Sequence, residues 1–404
     1  MVSPGLPPDG GGIGSYTDKT ARVLAGRGHE VHVLVPGVAR LRSETVDSVH
    51  IHRIPTPSLQ PRVLARAWGV ARALRRLGAL DIVQASEWGA ECWWYSHWSR
   101  TPIVTRLATP HFLIEELNAV PWSQRRRQSA SRWLERSQVR RSARVISPSA
   151  ALADRVASRW GIDRTTIAVV PTGIRSPASD MGTVPAELAG LEYVLYFGRL
   201  EQRKGLDTWV DALPAVLRSR PGLHAVFVGE DMGMAGRSFQ AKARERCGDA
   251  AGRLHFLPSM SQARLFPIVA AARVVVMPSH WESLANACLE AMALGRAVVA
   301  TRGSGFDEVI TDQVDGFLVP PGDVPALAAR VGSVVADELL LTRVGRAARR
   351  RAGDYDLEAM VDRLLEIYAE VLSMRPGRRH GGRPTPDGCE RELQGKGQRM
   401  RSRG

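Results

Sequence analysis

Short apolar runs alternate with segments of helical periodicity along almost the whole chain. Strands that are apolar on successive residues, rather than on alternate ones, are buried on both faces, as in parallel sheets covered by helices. The pattern therefore predicts α/β domains of the doubly wound type. The predicted strands are Val31–Val35, Asp81–Ala85, Pro102–Arg106, Arg144–Ser147 and Ile167–Pro171 in the first half, and YVLYFGR, HAVFVG, RLHFLP, RVVVMPS and AVVAT in the second.

The pattern is interrupted in a stretch rich in proline, serine and glycine, from Pro171 to Leu188. Such a composition marks a linker, and 404 residues are more than one hydrophobic core usually serves. Near the end, Tyr355–Leu372 carries apolar residues at helical spacing. The predicted organisation is an N-terminal domain over 1–175, a linker over 176–190, a C-terminal domain over 191–354, a helix over 355–372 that could return to the first domain, and a basic tail over 373–404, predicted to be disordered.

Part of the formal net charge of +14 lies in this tail, where nine Arg or Lys residues accompany three Asp or Glu residues. The charge fits either a solvated surface or attraction to phosphates of nucleotides, anionic lipids or nucleic acids. No apolar run is long enough for a transmembrane helix, and the N-terminus lacks the regions of a signal peptide, which predicts a cytoplasmic protein. The four cysteines are scattered without metal-ligand spacing, which argues against a zinc site.

A glycine-rich stretch, Gly10–Gly14, stands directly before a segment of helical spacing. Glycines at a helix start let backbone amides approach a phosphate, although a tight turn is the simpler interpretation. A dinucleotide-binding fingerprint fits poorly, because the preceding strand is missing and the next strand ends without an acidic residue. The candidate phosphate-binding residues here are Gly11, Gly12 and Gly14.

A second candidate is the loop in FGRLEQRKG, which follows the first strand of the second half. It carries Arg199 and Lys204 at the carboxyl end of a strand, where two cations could hold a diphosphate. The alternative is a pair of ordinary surface cations, but ligands of doubly wound sheets bind at this edge.

The segment HWESLANACLEAMALG places Glu282 before a predicted helix and Glu290 on it, about 12 Å further along at 1.5 Å per residue. Two carboxylates at this spacing could bind separate hydroxyl groups of one extended ligand. Ser283 is expected to cap the helix, and Gly295 to end it. A phosphate would fit between the two carboxylates, at the positive end of the helix, on the amides of Leu284, Ala285 and Asn286. The simpler interpretation makes Glu290 a half-exposed helix carboxylate.

Together these segments resemble retaining glycosyltransferases of family four, which have the GT-B fold of two Rossmann-like domains facing each other across a cleft. The matching motifs are PPDGGGIGSY, GRLEQRKG, PSHWESLANACLEAMALGRAVVAT and DGFLVPPGD, in the expected order over nearly all of residues 1–372. The resemblance implies a nucleotide-diphosphate sugar as donor, with no cofactor and no bound metal. It assigns the donor sugar to Glu282, the ribose to Glu290, the diphosphate to Arg199 and Lys204, and further phosphate contacts to Gly11–Gly14. Ser283 joins Leu284, Ala285 and Asn286 as a candidate donor-binding residue at the helix start.

The chain departs from the family pattern at three places. Relatives begin with a buried strand before the glycine-rich loop, whereas MVSPGLPP starts almost at its end, so the true start is expected upstream. Ala108 stands where many relatives carry a histidine that lines the donor-sugar site; either His111 substitutes for it or the role is absent. Ser283-Leu284-Ala285 replaces a Gly-aromatic-Gly sequence, which could narrow the phosphate pocket.

Other motifs have mainly structural interpretations. Glu308, in the loop after AVVAT, is expected to cap a helix. Gln124–Val145 contains eight arginines and is expected to pack within the first domain, although a basic amphipathic helix could also contact an anionic membrane and a lipid-linked acceptor. The aromatic cluster Ser86–Trp98 is expected in the core and on the domain surface, with an acceptor pocket as the alternative.

The predicted activity is retaining transfer of a hexose from a nucleotide-diphosphate sugar to a hydroxyl acceptor, with Glu282, Arg199 and Lys204 as the catalytic set. The acceptor class stays open between polysaccharide, lipid-linked and small-molecule glycans. The alternatives are a non-catalytic nucleotide-sugar-binding protein, a sugar-nucleotide epimerase and a phosphorylase. Nucleic-acid binding is not expected, because no base-stacking module is visible.

Overall fold

A computed structural model describes residues 1–7, 10–57, 61–118, 122–175, 177, 181–233 and 237–374. Both halves contain parallel sheets flanked by helices, which confirms the predicted α/β fold with two Rossmann-like domains. Most of the predicted tail over 373–404 lies outside the described residues, which end at 374.

The N-terminal domain contains a three-stranded sheet in the order β2-β3-β1 and a four-stranded sheet in the order β4-β5-β6-β7. Residues 1–3 join them: the Val2 amide donates to the Gln84 carbonyl over 2.8 Å, and the Leu34 amide donates to the Met1 carbonyl over 2.9 Å. Val2 thus bridges β1 and β4 in parallel, in the position where the family resemblance predicts a first strand. The strands are β1 (Val31–Val38), β2 (Arg42–Val46), β3 (Val49–Pro55), β4 (Val83–Ser86), β5 (Ile103–Arg106), β6 (Arg144–Ser147) and β7 (Ile167–Val169).

The second domain has a single six-stranded sheet in the order β10-β9-β8-β11-β12-β13, and every neighbouring pair is parallel. Each predicted strand of the second half is present. The strands are β8 (Glu192–Phe197), β9 (Leu223–Val228), β10 (Leu254–Leu257), β11 (Val274–Met277), β12 (Ala297–Thr301) and β13 (Phe317–Val319).

Helices cover the sheets of both domains. In the N-terminal half they are α1 (Gly11–Gly26), α2 (Arg62–Arg76), α3 (Trp93–Trp98), α4 (His111–Leu117), α5 (Trp122–Arg127), α6 (Ser129–Arg141) and α7 (Ala150–Trp160). In the C-terminal half they are α8 (Leu206–Ser219), α9 (Phe239–Cys247), α10 (Gln262–Ala271), α11 (Asn286–Ala293), α12 (Phe306–Val309), α13 (Val324–Ala336), α14 (Glu338–Gly353) and α15 (Leu357–Ser373). No described helix is long and apolar enough to cross a membrane.

Helix α7 illustrates how local sequence sets these elements. The Ser149 side chain accepts a hydrogen bond from the Leu152 amide and caps the first turn. Leu152 and Val156, four residues apart, share the face that packs into the domain core. Gly161 follows the last turn in the left-handed conformation, which ends the helix.

Helix α15 returns from the C-terminal domain and packs on the N-terminal one. Its residues Val361 and Leu364 join a buried cluster with β1 and α1, and the Tyr368 hydroxyl donates to the Gln84 side chain. On its exposed side, Arg27 forms a 2.8 Å ion pair with Glu358. The chain therefore connects the two domains twice, through the linker and through this helix.

Candidate active site

The candidate residues of the second domain lie on loops at the carboxyl ends of β8, β11 and β12, which are neighbours in the sheet. The loops touch closely: a Cβ on Gly205 would lie 1.7 Å from the Pro278 carbonyl oxygen. Gly205 also has φ of +64°, so both its conformation and its surroundings require glycine. The Gly305 amide of the third loop donates to the Glu282 carbonyl over 2.9 Å. These contacts fix the three loops as one unit.

Lys204 and Glu282 meet at the centre of this unit. The Lys204 ammonium forms an ion pair with Glu282 Oε1, which also accepts a 3.0 Å hydrogen bond from the Ser279 hydroxyl. Burial tends to raise the pKa of Glu282, but the charges of Lys204 and Arg203 outweigh it and leave the pKa lowered. Burial lowers the pKa of Lys204, and the Glu282 charge offsets only part of that effect. Glu282 is therefore an ionised carboxylate that is 8% exposed.

Arg199 lies at the edge of the same unit rather than against Glu282. Its side chain is 57% exposed and pairs with Glu201 at 3.4 Å, and Glu201 also pairs with the buried Arg203 at 2.8 Å. Glu201 thus pairs with both Arg199 and Arg203, and the charge of Arg203 acts on Glu282. Because the Arg199 guanidinium faces solvent, it is accessible to a ligand that enters from outside.

Helix α11 begins later than its sequence predicts. The residue before its first turn is Ala285, and no side chain caps it, so the predicted Ser283 cap is wrong. The amides of Leu284, Ala285 and Asn286 donate to no described residue, and the Asn286 Oδ1 atom is buried without a partner. The end of the helix agrees with the prediction, since Gly295 follows it with φ of +70°.

Glu290 lies in the second turn of α11. Because the helix begins at Asn286, fewer helical residues separate Glu290 from Glu282 than the sequence predicts. The Gln262 side chain donates to Glu290 Oε1 over 2.6 Å, and Lys19 of the N-terminal domain lies 3.7 Å from the same atom. Burial raises the pKa of Glu290, and the positive charge of Lys19 and the hydrogen bond from Gln262 partly offset it. The simpler interpretation of a half-exposed carboxylate is therefore wrong, because Glu290 is 13% exposed and paired across the domains.

The predicted glycine-rich loop lies inside the first turn of α1, which begins at Gly11, and not before the helix. Gly14 is required by packing, because a Cβ there would lie 2.6 Å from the Gly5 carbonyl oxygen. Gly12 is exposed, and a Cβ on it would lie 4.0 Å from the Asn286 side-chain nitrogen. The starts of α1 and α11 therefore face each other across the two domains.

The segment around Ala108 is held by two buried glutamates. The Ala108 amide donates to both oxygens of Glu87, over 2.9 and 2.8 Å. His111 is the first residue of α4, and its amide and ring both bond Glu135. The His111 ring also stacks on Trp88, with 3.9 Å between the ring centres. His111 is thus a fixed residue and not a loop residue, while its role in place of the family histidine stays a prediction.

Glu308 caps a helix of the other domain. Its two oxygens accept hydrogen bonds from the Ala150 and Ala151 amides at the start of α7, each over 2.8 Å. Beside it, Trp281 is 6% exposed because it packs among N-terminal residues, with the Arg155 guanidinium 5.1 Å from its ring centre. Glu308 is therefore structural, as expected, but it acts between the domains.

The sequence interpretation did not include four residues that contact the candidate ones. The charge of Arg203 lowers the pKa of Glu282, and the Ser279 hydroxyl donates to the same carboxylate. The Gln262 side chain donates to Glu290, and Lys19 reaches Glu290 from the other domain. Lys19 lies seven residues after Gly12, two turns along the same face of α1, and this spacing was the available signal.

Comparison with known proteins shows the family of both domains. A family model described as Glycosyltransferase Family 4 matches residues 10–176, and a model described as Glycosyl transferases group 1 matches residues 192–337. The D-inositol 3-phosphate glycosyltransferase of Nocardia farcinica is 28% identical over 427 residues, which cover 96% of this chain and 91% of the relative.

Solved structures of low identity share the fold. Sucrose-phosphate synthase from Thermosynechococcus elongatus aligns with a TM-score of 0.74 at 21% identity, over 91% of this chain and 95% of its own. Anabaena HepE, solved in complex with UDP and glucose, aligns with a TM-score of 0.69 at 19% identity, over 93% of this chain and 99% of its own. The chain therefore belongs to the glycosyltransferases of family four and is a GT-B enzyme that transfers sugars.

Proposed function

We propose that the protein transfers a hexose from a nucleotide-diphosphate sugar to a hydroxyl acceptor with retention of configuration. The observation that carries this proposal is the meeting of two helix starts from different domains. The Leu284, Ala285 and Asn286 amides of one donate to no described residue, and the exposed Gly12 of the other lies beside Asn286. Unpaired amides at helix starts favour a diphosphate.

The surrounding side chains suit the rest of the donor. Arg199 and Lys204 supply positive charge for the leaving diphosphate, which is why no metal is expected in this role. Glu282 is ionised and would accept hydrogen bonds from the donor sugar, and Glu290 would accept them from the ribose. The Lys204–Glu282 and Lys19–Glu290 ion pairs would break when the donor binds, and groups of the donor would take the place of each partner.

In the proposed reaction the bond between the anomeric carbon and the leaving phosphate oxygen breaks, while a bond to the acceptor oxygen forms on the same face of the sugar. The proton of the acceptor hydroxyl moves to the departing diphosphate. No protein nucleophile is used, and the protein contributes by holding the diphosphate and excluding water.

We further propose that the N-terminal domain contacts an anionic membrane, which would supply a lipid-linked acceptor. Helix α6 packs within its domain through Leu134 and Val139, as expected. Yet Trp133 is 60% exposed and Trp122 is 70% exposed, with the Arg126 guanidinium 4.7 Å from the Trp122 ring centre. Exposed tryptophan beside arginine is typical of membrane interfaces.

Flotation tests the membrane contact. Anionic vesicles should recover the protein, and the combined substitution Trp122→Ser and Trp133→Ser should reduce that recovery. Equal recovery of the protein with neutral vesicles would contradict the contact.

Donor binding and turnover are tested separately. A thermal-shift screen of nucleotide sugars, beginning with UDP-glucose because HepE was solved with UDP and glucose, should find a donor that raises the melting temperature. With that donor and a panel of acceptors, Glu282→Ala and Lys204→Ala should each reduce transfer by about 100-fold or more. Glu245→Ala, on an exposed ion pair, is the control. Near wild-type transfer in both variants would overturn the assignment, and donor binding without turnover would favour a non-catalytic binding protein.

A further inference from the structure

A second cavity lies outside the donor site, on the outer flank of α2. Its volume is about 390 Å³, which is within the range of small-molecule sites. Its wall includes Leu34 of β1, Ile54 of β3 and Trp68 of α2. Pro57, which follows β3, and Leu77, which directly follows α2, also line it. We refer to this cavity as the α2 groove; Leu41, Thr56, Arg72, Ala73 and Arg76 line it as well.

The wall of the α2 groove leaves apolar surface in contact with water. Trp68 is 38% exposed, and Leu41, which also lines the groove, is 41% exposed. Removing apolar area from water is favourable by roughly 25 cal/mol per Å², so this surface favours an apolar ligand. The groove therefore has a preference for a hydrocarbon chain over a sugar or a nucleotide.

Positive charge borders the same wall. Arg72 and Arg76 both line the groove, and the Arg72 guanidinium lies 5.5 Å from the Trp68 ring centre. Neither arginine has an acidic partner among the described residues, and α2 itself contains no acidic residue. Unpaired guanidinium groups favour phosphate or carboxylate oxygens, which they bind with two hydrogen bonds.

One residue that lines the groove, Thr56, carries a polar group without a partner among the described residues. The Thr56 hydroxyl is buried and bonds no described residue, although buried hydroxyl groups are normally hydrogen-bonded. A ligand oxygen near the end of β3 would satisfy it. This hydroxyl is independent of the arginines, and it also indicates a ligand with polar as well as apolar atoms.

We propose that the α2 groove binds a single-chain anionic amphiphile. The hydrocarbon chain would lie against Leu34, Ile54 and Trp68, and the anionic group would bind Arg72 and Arg76. The proposal does not depend on the donor site, because none of these residues contacts Glu282, Glu290 or their partners.

The probe is dodecyl phosphate, used below its micelle concentration and titrated into the full-length protein by calorimetry. Saturable binding of one molecule per chain is expected. Arg72→Glu combined with Arg76→Glu should weaken binding at least tenfold, because the anionic group would meet two like charges. The matched control is Arg75→Glu on the same helix, since Arg75 is exposed and does not line the groove.

Two further ligands separate the two parts of the site. Dodecyl maltoside has the chain without the charge, and butyl phosphate has the charge with a short chain, so each should bind at least tenfold more weakly. Ala73→Trp, which fills the groove from α2, should also abolish binding. Melting temperatures of all variants establish that they are folded, and the donor-induced thermal shift should be unchanged in the Arg72 and Arg76 variant. Equal affinity of that variant and the Arg75→Glu control, or binding to anionic vesicles without binding of monomeric dodecyl phosphate, would overturn the proposal.

Discussion

At the scale of single residues, buried carboxylates hold the loops of the N-terminal domain. Glu87 and Glu135 are both 0% exposed, and they accept hydrogen bonds from the amides of Ala108 and His111. Burial, together with the charge of Glu135, raises the pKa of Glu87 to about 8. Glu87 therefore carries a proton in the folded protein at neutral pH.

This shift predicts a pH-dependent loss of stability. Between the ordinary pKa of about 4.5 and the raised value of about 8, the unfolded chain releases the Glu87 proton while the folded protein keeps it. Stability should therefore fall as pH rises through this window, by at most about 1.4 kcal/mol per pH unit from this residue. Glu87→Gln cannot titrate, so its melting temperature should fall less than that of the wild type between pH 5 and pH 8.

Glu116→Gln is the matched control, since Glu116 is an exposed carboxylate on the neighbouring helix α4. The comparison uses the slope of melting temperature against pH, because a glutamine amide could shift the absolute value in either direction. Parallel slopes for the wild type and Glu87→Gln would contradict the assignment of a raised pKa to this residue.

The sequence predicted which residues of the C-terminal half lie at the strand ends but not how they pair. Arg199, Lys204 and Glu282 follow buried strands, and the spacing from strand to helix placed them at one edge of the sheet. The contacts of Arg203 and Lys19 were not predicted. Arg203 is buried although arginine is usually exposed, and the Lys19 contact depends on how two domains meet.

At the scale of elements, the start of α1 is set by close backbone packing. A Cβ on Gly14 would lie 2.6 Å from the Gly5 carbonyl oxygen, and backbone atoms cannot move aside cheaply. Gly14→Ala should therefore destabilise the protein by about 1–3 kcal/mol, as overpacked sites do. Gly26→Ala, at the last residue of the same helix, has open space around its Cβ and should be neutral or stabilising by up to about 1 kcal/mol. Chemical denaturation measures both, and equal stability of the two variants would contradict this account.

The structure contains every strand that the sequence predicts, and also β2, β3 and β13, which the sequence pattern does not predict. Strand β13 is buried but is only three residues long. Each predicted strand contains at least two adjacent apolar residues, whereas β2 is exposed at all five positions and pairs antiparallel with β3. An exposed edge strand has no apolar signal to detect. The start of α11 was misplaced for a related reason: Ser283 has the chemistry of a cap, but the loop contacts of Gly305 hold that segment outside the helix.

At the scale of the whole molecule, the domains are joined by specific contacts as well as by two covalent connections. Trp281 and Glu308 of the C-terminal domain contact α7 and its neighbours, and Glu290 contacts Lys19. Trp281 directly precedes Glu282, and Glu290 is itself a candidate donor-binding residue. The arrangement of the domains is therefore set by the same loops that carry the candidate residues, and no single-domain pattern in the sequence could have indicated it.

Glu308 allows this arrangement to be tested without altering the donor site. Its carboxylate accepts hydrogen bonds from the Ala150 and Ala151 amides, which bond no other described residue. A charged cap at a helix start stabilises the helix by about 1–2 kcal/mol. Glu308→Ala should therefore speed local amide exchange at the start of α7 by about 5- to 30-fold, measured by hydrogen exchange on a peptide spanning Ser147–Val156.

Glu338→Ala is the control, since Glu338 is exposed and pairs with Arg273 within one domain. Because the cap comes from the other domain, the faster exchange should appear on the N-terminal side of the interface although the substitution is in the C-terminal domain. Unchanged exchange in this peptide would mean that the two domains do not hold this contact in solution.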